Sequence, residues 1–414
     1  MKLAAVVLLV SAGAATAVVL HRLAAGRDVR GSSTVEFVTS APTTTTGGRA
    51  NRPAPWPMFG HDEGRRAALQ TATVRPPYRR VWAAGGRSLI EFPPAIAYGH
   101  LYYADGGGRV YAVSTTTGSR DWRYDSRRGS AATPAVGPDA HGTVYAAFLN
   151  RRGSPGKVAD DGAVVALAAG TGRVRWSAHV GASETSPLLA DGRVFVGGWD
   201  GKVSALDAAS GRRLWTFQTG GAVKGGLAGA GGLVYAGSYD GHLYALDAAT
   251  GRQVWRASGS PQLFGHGTFY STPVVAYGRV YVGSTDGRMY SFGARSGKLR
   301  WSHHTGGYVY GSAAVWDRLV LVGSYDHHFY AFNAATGAER WSVEADGPIS
   351  GSATVIGGIA YFATLHGTLY AVAADDGHVI WTFGDGAYAP AVSDGRRLYV
   401  VGYSVIYGFR PAPN

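Results

Sequence analysis

The sequence predicts an all-β protein, a single eight-bladed β-propeller of four-stranded antiparallel blades, and three observations support this. A pair of hairpins, written "SYDGHLYALDAATGRQVW" at residues 238–255, recurs as seven complete units along the 414 residues. The closing tryptophans of these units and an earlier Trp82 follow one another at spacings of 40, 54, 39, 40, 46, 40 and 40 residues. Glycine-rich turns leave no 3.6-residue periodicity, which argues against helical repeats.

Each repeat supplies four strands, as the fourth unit illustrates. A short apolar run at residues 227–229 predicts the innermost strand, and "GGLVYAGS", "HLYALDA" and "RQVWRA" predict the next three. The Asp240-Gly241 dipeptide favours a two-residue type I′ turn with positive φ at both central positions. In "LDAATG", the Asp side chain is expected to fold back onto the amides that follow it.

The two ends of the chain together predict the eighth blade. Residues 78–86 form a lone outer strand, and "YAPAVSDGRRLYVVGYSVIYGF" supplies three strands without a closing tryptophan. Pairing of these ends would close the ring over residues 78–410 and remove an exposed sheet edge. Each closing tryptophan is expected to dock on the neighbouring blade, because one blade alone cannot bury both faces. The docking residues are Trp82, Trp122, Trp176, Trp215, Trp255, Trp301, Trp341 and Trp381.

Two segments precede the propeller. Residues 1–23 contain 18 uncharged, mostly apolar residues and predict a signal peptide or a signal-anchor transmembrane helix. Residues 24–77 are rich in Thr, Pro and Gly and predict a flexible linker and lead-in.

The position of the apolar run at the extreme N-terminus favours export. We expect an extracytoplasmic propeller at the cell surface, in the cell wall or in the periplasm, attached to the membrane through this run if it is not cleaved after Ala17. Arg22, Arg27 and Arg30 follow the run and favour the opposite orientation under the positive-inside rule.

Composition narrows the chemistry. The chain has no cysteine, which excludes disulfides, zinc–thiolate sites, thiol catalysis and a lipid-anchor cysteine. The net charge of +12 is scattered along the repeats, so no nucleic-acid partner is expected. Two histidine pairs, at residues 303–304 and 327–328, predict no metal site, because neighbouring residues in a strand point to opposite faces. The turn carboxylates Asp200, Asp240 and Asp286 recur with the repeat, and local spacing indicates no catalytic residues.

The segment "LYALDAATGRQVW" resembles the tryptophan-docking repeat of the pyrroloquinoline quinone (PQQ) propeller superfamily. "PWPMFGHDEGRRA", residues 55–67, is similar to the lead-in of many such propellers. The superfamily includes quinoprotein dehydrogenases, which hold PQQ over a vicinal cysteine pair with Ca²⁺ bound by acidic and amide side chains and an Asp as base. It also includes the non-enzymatic BamB-type propellers. Without cysteines or long insertions the chain looks closer to the BamB type, and no cofactor is expected, although it also lacks the lipidated cysteine of that lipoprotein.

Repeat phase predicts which face of the ring is functional. The insertions "LNRRGSPGKVADDG" and "SGSPQLFGHGTFY" both open on the face where the innermost strands begin, and long loops on a rigid scaffold commonly bind. Side chains at those strand starts are expected to ring the mouth of the central channel, either as a binding rim or only as a channel plug. They are Glu91, Phe92, Glu184, Lys224, Tyr270, Tyr310 and Tyr388. Trp199, Tyr239 and Tyr325 are expected further out on this face, stacking on ligands or lying flat on the next blade.

The sequence therefore predicts a non-catalytic, exported, membrane-tethered propeller that is monomeric and binds a protein or polymer of the cell envelope. Two alternatives stay open. One is a PQQ-dependent or degenerate quinoprotein oxidoreductase that uses the channel mouth. The other is an extracytoplasmic ligand-sensing domain.

Overall fold

The structure is a computed structural model and describes residues 28–39, 56–138, 142–151, 161–259 and 267–413. Its strands form eight sheets whose innermost strands follow one another in chain order around a central channel. This confirms the predicted eight-bladed propeller with four-stranded antiparallel blades. The described residues include no helix long and apolar enough to span a membrane. The predicted signal peptide or anchor at residues 1–23 lies outside the described residues.

Two strands precede the first complete blade. They are β1 (Ala68–Leu69) and β2 (Tyr78–Gly85). Blades 1 to 4 each follow from four consecutive strands. Blade 1 has β3 (Ala95–Ala97), β4 (His100–Ala104), β5 (Arg109–Ser114) and β6 (Arg120–Asp125). Blade 2 has β7 (Ala135–Gly137), β8 (Thr143–Phe148), β9 (Gly162–Ala168) and β10 (Val174–Val180). Blade 3 has β11 (Leu188–Ala190), β12 (Arg193–Gly197), β13 (Lys202–Asp207) and β14 (Arg213–Gln218). Blade 4 has β15 (Ala228–Ala230), β16 (Leu233–Gly237), β17 (His242–Asp247) and β18 (Gln253–Ser258).

Blades 5 to 8 complete the ring. Blade 5 has β19 (Val274–Ala276), β20 (Arg279–Gly283), β21 (Arg288–Gly293) and β22 (Leu299–His304). Blade 6 has β23 (Ala314–Trp316), β24 (Leu319–Gly323), β25 (His328–Asn333) and β26 (Glu339–Glu344). Blade 7 has β27 (Thr354–Ile356), β28 (Ile359–Ala363), β29 (Leu369–Ala373) and β30 (Val379–Phe383). Blade 8 has β31 (Val392–Ser393), β32 (Leu398–Val401) and β33 (Val405–Pro411).

The two ends of the chain close the ring in blade 8. Strand β2 pairs antiparallel with β33, with Tyr78 opposite Pro411 and Gly85 opposite Val405. The outer strand of blade 8 therefore comes from the N-terminal side and its other three strands from the C-terminus. This arrangement confirms the predicted closure, because the N-terminal strand completes the last blade.

The closing tryptophans join each blade to the next by one repeated contact. Trp255 donates its indole N–H to the carbonyl of Ala294 in blade 5 at 2.9 Å, and its ring covers Gly297. Gly297 has a φ of +66°, and a Cβ there would lie 2.7 Å from Trp255 Cδ2. Glycine is therefore required at this turn both by the backbone conformation and by the close approach of the ring. Equivalent contacts to a carbonyl and a glycine of the next blade are made by Trp82, Trp122, Trp176, Trp215 and Trp301.

Two tryptophans depart from this pattern. Trp341 covers Gly377, but among the described residues its indole N–H has no hydrogen-bond partner. Trp381 packs edge-on against Tyr78 at 5.0 Å and against Phe409 at 5.8 Å. Trp381 faces blade 8, whose two outer strands, β33 and β2, come from opposite ends of the chain. No turn joins these two strands, so the carbonyl and the glycine that the other tryptophans contact are missing there.

The Asp-Gly turns correct one detail of the sequence analysis. The turn after β16 is a four-residue loop, and only Gly241 has positive φ, at 80°, so the predicted two-residue type I′ turn is wrong. The side chain of Asp240 explains the difference. It accepts hydrogen bonds from the amides of Gly220 and His242 and from the hydroxyl of Tyr244, at 2.6–2.9 Å. Through these hydrogen bonds Asp240 connects its own loop to the loop after β14 and to the following strand, β17.

The turn between the third and fourth strands follows the prediction. Asp247 Oδ1 accepts hydrogen bonds from the amides of Ala249 and Thr250 and from the Thr250 hydroxyl. Asn333 makes the same set of bonds in blade 6. Asp and Asn therefore organise this tight turn equally, because each has a short side chain with an acceptor oxygen.

Part of the predicted linker lies against the propeller. Residues 28–39 run along blade 5, where the guanidinium of Arg279 donates to the carbonyls of Ser32, Val35 and Glu36 at 2.6–3.0 Å. The Glu36 carboxylate accepts from Arg300 and from Ser296. Composition alone predicts a flexible chain here, but arginines supplied by blade 5 give this short segment fixed partners.

Candidate functional site: the mouth of the central channel

The lead-in at residues 56–69 crosses the central channel. Its backbone forms hydrogen bonds with the innermost strands of six of the eight blades. For each of these blades the shortest N···O distance is 2.6–2.9 Å. The blade partners are Ile96, Val136, Gly229, Val275, Val315 and Val355. Strand β1 ends the crossing by pairing parallel to β27. The segment that resembles the superfamily lead-in therefore closes the channel from one side.

Arg65 lies at the centre of this crossing and is fully buried. Its guanidinium donates to the carbonyls of Leu227 at 2.7 Å and of Ser186 and Pro187 at 3.0 Å each, and also to the carbonyl of Phe59. Burial lowers the pKa of Arg65. Four carbonyl acceptors satisfy the buried cation, so Arg65 holds the lead-in to blades 3 and 4.

A cavity of about 80 Å³ lies above the lead-in and opens at the other end of the channel. The seven side chains predicted for the mouth all line it. They are Glu91, Phe92, Glu184, Lys224, Tyr270, Tyr310 and Tyr388. Its wall also includes Phe59, which meets Phe92 edge-on at a centroid distance of 6.0 Å. The structure thus brings the predicted residues together; that they bind a partner stays a prediction.

The cavity wall is built from equivalent positions of the blades, each just before the innermost strand. Blades 1 and 3 supply Glu91 and Glu184, and blade 4 supplies Lys224. Blades 5 to 8 supply Tyr270, Tyr310, Ser350 and Tyr388, and blade 2 has the small Ala131 at this place. The wall is therefore charged on one side and aromatic on the other.

Electrostatics on the charged side are unbalanced. Lys224 Nζ lies 3.8 Å from Glu184 Oε1, beyond hydrogen-bond distance, and this buried oxygen has no hydrogen-bond partner among the described residues. Burial raises the pKa of Glu184, Lys224 opposes the shift, and the charge of Glu91 adds to it. Burial also raises the pKa of Glu91. Lys224 therefore pairs with Glu184, whereas Glu91 has no ion pair within the described residues.

The Lys224 ammonium is held mainly by aromatic rings. It lies 4.4 Å from the ring centroid of Trp199 and 5.3 Å from that of Tyr239. These are cation–π distances. Burial raises the pKa of Tyr239 to about 12, and the charge of Glu184 contributes in the same direction. Tyr239 therefore remains neutral over the whole physiological range.

Tyrosines continue the aromatic side outward. Tyr270 meets Tyr310 at right angles, 5.3 Å between centroids, and Tyr310 meets Tyr308 and Tyr325 at 5.6 Å and 5.1 Å. Trp199 and Tyr308 are 37% and 51% exposed. We call the face that carries this opening the mouth face; its exposed large side chains are Trp199, Tyr308, Leu365 and Tyr403.

The described ends of the two predicted insertions lie on this face. One joins β8 to β9 and the other joins β18 to β19, on the side where the innermost strands begin. Residues 152–160 and 260–266 within them lie outside the described residues. Their part in binding stays a prediction.

The histidine pairs have separate surroundings. His303 packs on Phe332 at 4.6 Å and has the carboxylates of Asp28 and Glu339 at 3.7 Å and 3.8 Å. His327 occupies the turn position that is Gly241 in blade 4, and it has the positive φ of that position, 74°. In the part of the chain that the structure describes, no group of three His, Cys, Asp or Glu residues could hold a metal ion.

Sequence reasoning missed the residues of the lead-in. Phe59 lies in the cavity wall and Arg65 below it, although neither belongs to a repeat. The signal available was the likeness of residues 55–67 to a known lead-in, which indicates a shared structural element and not its position. Residues 56–69 belong to no repeat, so the periodicity that predicts the seven wall residues does not extend to them.

An eight-bladed ring joined by docked tryptophans, with a lead-in across its channel, defines a propeller of the PQQ-like type. The sequence profile described as outer membrane protein assembly factor BamB matches residues 38–196, 156–224, 199–309 and 304–411. The chain belongs to this family, which confirms the resemblance found in the sequence.

Individual relatives come from both branches of the superfamily. The chain is 28% identical over 159 residues to outer membrane protein assembly factor BamB of Nitrosomonas eutropha, a match covering 38% of this chain and 35% of that protein. It is 32% identical over 188 residues to quinohemoprotein alcohol dehydrogenase of Comamonas testosteroni, covering 43% and 20%. The matches thus span about a third and a fifth of those proteins. The crystal structure of BamB from Moraxella catarrhalis superposes with a TM-score of 0.66 at 21% identity, covering 82% of this chain and 99% of that one.

The cavity does not fit PQQ, the cofactor that the dehydrogenase branch implies. Its volume of about 80 Å³ is far below the roughly 300–1,000 Å³ of pockets that bury a planar, drug-sized ligand. PQQ carries three carboxylates, whereas the wall offers one cation, Lys224, beside two carboxylates of its own, Glu91 and Glu184. The described residues therefore oppose the quinone in both size and charge.

Proposed function

We propose that this chain is a non-catalytic, extracytoplasmic propeller that binds a protein of the cell envelope through its mouth face. The observation that carries the proposal is the set of exposed aromatic side chains around the cavity. Trp199, Tyr308 and Tyr403 are 37%, 51% and 62% exposed on this one face. Aromatic residues with their rings partly free are enriched where proteins bind one another, because each ring buries a large area at low entropic cost.

Family membership supports a protein partner, since the BamB relatives are described as assembly factors. Extracytoplasmic location agrees with the predicted export segment. A polymer partner is the alternative within the same proposal, and binding to purified cell-wall polymer in place of protein would select it.

Similarity to quinohemoprotein alcohol dehydrogenase favours the oxidoreductase alternative. The mismatch of cavity size and charge with PQQ argues against it. Titration of the purified protein with PQQ and Ca²⁺ tests this alternative through quinone absorbance and dye reduction. We expect no stoichiometric binding and no alcohol- or sugar-dependent turnover; either one would replace the scaffold by an enzyme.

The proposal is tested by capture of envelope proteins on the purified chain, with identification by mass spectrometry. The double variant Trp199→Ala, Tyr308→Ala should lose a partner that the wild type retains. Tyr98→Ala is the matched control, because Tyr98 is a 42% exposed tyrosine in the β3–β4 turn on the opposite face. If the control loses a partner that the double variant keeps, the partner binds the opposite face and the proposal is wrong.

A further inference from the structure

We propose that the mouth cavity binds one basic side chain of the protein partner, the ammonium group of a lysine or the guanidinium group of an arginine. This inference rests on the proposed function and names the chemistry that the partner must present. It follows from three properties of the cavity: its unbalanced charge, its aromatic wall and its size.

The charged side of the cavity lacks one positive charge. Glu91 has no hydrogen bond or ion pair within the described residues, and Glu184 Oε1 is buried without a donor. Lys224 is the only cation of the cavity wall in the described chain, and its ammonium group already packs against two aromatic rings. A carboxylate withdrawn from water without a partner costs free energy, and an incoming cation would offset that cost.

The aromatic side of the cavity suits an organic cation. The rings of Tyr270 and Tyr310 stand at right angles, 5.3 Å apart, across the cavity from the carboxylates. Tyrosine faces attract ammonium and guanidinium groups. Lys224, held over Trp199 and Tyr239 at 4.4 Å and 5.3 Å, shows the same contact made by the protein's own cation.

The size of the cavity limits the ligand to the end of one side chain. Its volume is about 80 Å³, and Phe59 of the lead-in forms part of its wall. The opening lies among exposed aromatic residues of the mouth face, where the backbone of an extended partner segment would remain. A single long basic side chain spans this distance from surface to cavity and keeps its apolar stem against the rings.

A metal ion is a poorer match. Ca²⁺ takes six to eight oxygen ligands. Within the described residues no third His, Cys, Asp or Glu joins Glu91 and Glu184. Two carboxylates beside aromatic faces instead match a cation that brings its own hydrogen-bond donors.

The test uses the purified full chain and a synthetic glycine–serine peptide with one central arginine. The matched probe has citrulline, the neutral isostere of arginine, at the same place, and binding is measured by calorimetry. We expect the arginine peptide to bind at least tenfold more tightly. Equal affinity of the two peptides would overturn the proposal.

Variants locate the site. Glu91→Gln and Glu184→Gln should each weaken binding of the arginine peptide at least fivefold and leave the citrulline peptide unchanged. Glu339→Gln is the control, since Glu339 lies on β26, an outer strand. An equal effect of the control, or no effect of the cavity variants, would contradict the proposal.

The wild-type protein provides a test that needs no variant. Protonation of the two carboxyls should weaken the arginine peptide as the pH falls from 7 to 4.5, with no change for citrulline. The ionisable groups around the cavity are Glu91, Glu184, Lys224, Tyr239, Tyr270, Tyr310 and Tyr388. Among these only the glutamates gain protons in this range, so pH-independent binding of the arginine peptide would also overturn the proposal.

The two proposals fail in different ways. If the arginine and citrulline peptides bind equally while Trp199→Ala, Tyr308→Ala still abolishes protein capture, the scaffold function stands and the cation site is rejected. If capture is also unchanged, both are rejected.

Discussion

The buried charges at the two ends of the central channel differ in how completely they are paired. At the end crossed by the lead-in, Arg65 is fully buried and donates to four backbone carbonyls. At the mouth, Glu91 and Glu184 are partly buried; Lys224 lies 3.8 Å from Glu184, and Glu91 has no ion pair within the described residues. One end satisfies its ion completely, and the other leaves its ions short of partners.

This difference suggests a structural role for the charge at the lead-in end and a binding role for the charges at the mouth. A satisfied buried ion holds the fold together, and nothing more is needed to explain it. Under-satisfied ions reduce stability, and proteins commonly retain such groups where a ligand is bound. The comparison therefore predicts opposite effects on stability when the charges at the two ends are removed.

The largest effect is expected at the lead-in end. Arg65→Met should lower the free energy of unfolding by about 4 kcal/mol or more, because several buried carbonyls lose their donor at about 1–3 kcal/mol each. Urea unfolding followed by fluorescence measures this. Arg66→Met is the matched control, since Arg66 is partly exposed and pairs with Asp62 at 2.7 Å. A loss no larger than that of the control would mean that Arg65 does not hold the lead-in.

The next largest effect is expected between the two ends, at Phe59. Phe59→Ala removes a side chain that is 5% exposed and lies over the Arg65 guanidinium at 5.9 Å. A loss of about 3 kcal/mol is expected, as for other buried phenylalanines. The same urea measurement checks it. A change near zero would show that the lead-in does not depend on this contact.

A smaller effect of opposite sign is expected at the mouth. Burial raises the pKa of Glu91, so its ionised form is the less favourable one in the folded state. Its destabilising effect is present above the folded pKa and disappears as the pH falls below the ordinary value. Glu91→Gln should therefore raise the thermal midpoint slightly at pH 7 and leave it unchanged near pH 4. A lower midpoint at pH 7 would show that Glu91 has a stabilising partner.

The smallest effect on stability is expected at the exposed rings. Trp199→Ala combined with Tyr308→Ala should lower the free energy of unfolding by about 1 kcal/mol at most, because both rings are partly exposed and the contact of Trp199 with Lys224 is worth about 0.5–1 kcal/mol at such sites. Thermal unfolding of the variant used for capture measures this. A large loss would mean that failed capture reflects damage to the ring.

The sequence predicted most of the fold because the fold is periodic. Repeat phase alone placed Glu91, Glu184 and Tyr310 in one ring, since equivalent positions of successive blades face the same channel. The type of the Asp-Gly turn was missed because the bonds of Asp240 reach Gly220, which lies in the preceding loop.

Non-repeated segments were the limit of the prediction. Arg65 reaches residues more than 120 positions away, and composition does not reveal such a partner. The contacts of residues 28–39 were missed for the same reason, because Arg279 meets Glu36 across 243 positions.

Site-specific photocrosslinking in living cells tests the central claim, that the mouth face is the binding face, most directly. A photoreactive phenylalanine would replace either Tyr308 on the mouth face or Tyr98 on the opposite face, which are 51% and 42% exposed. We expect discrete protein adducts at position 308 and none at position 98. Adducts at position 98 with none at position 308 would contradict it.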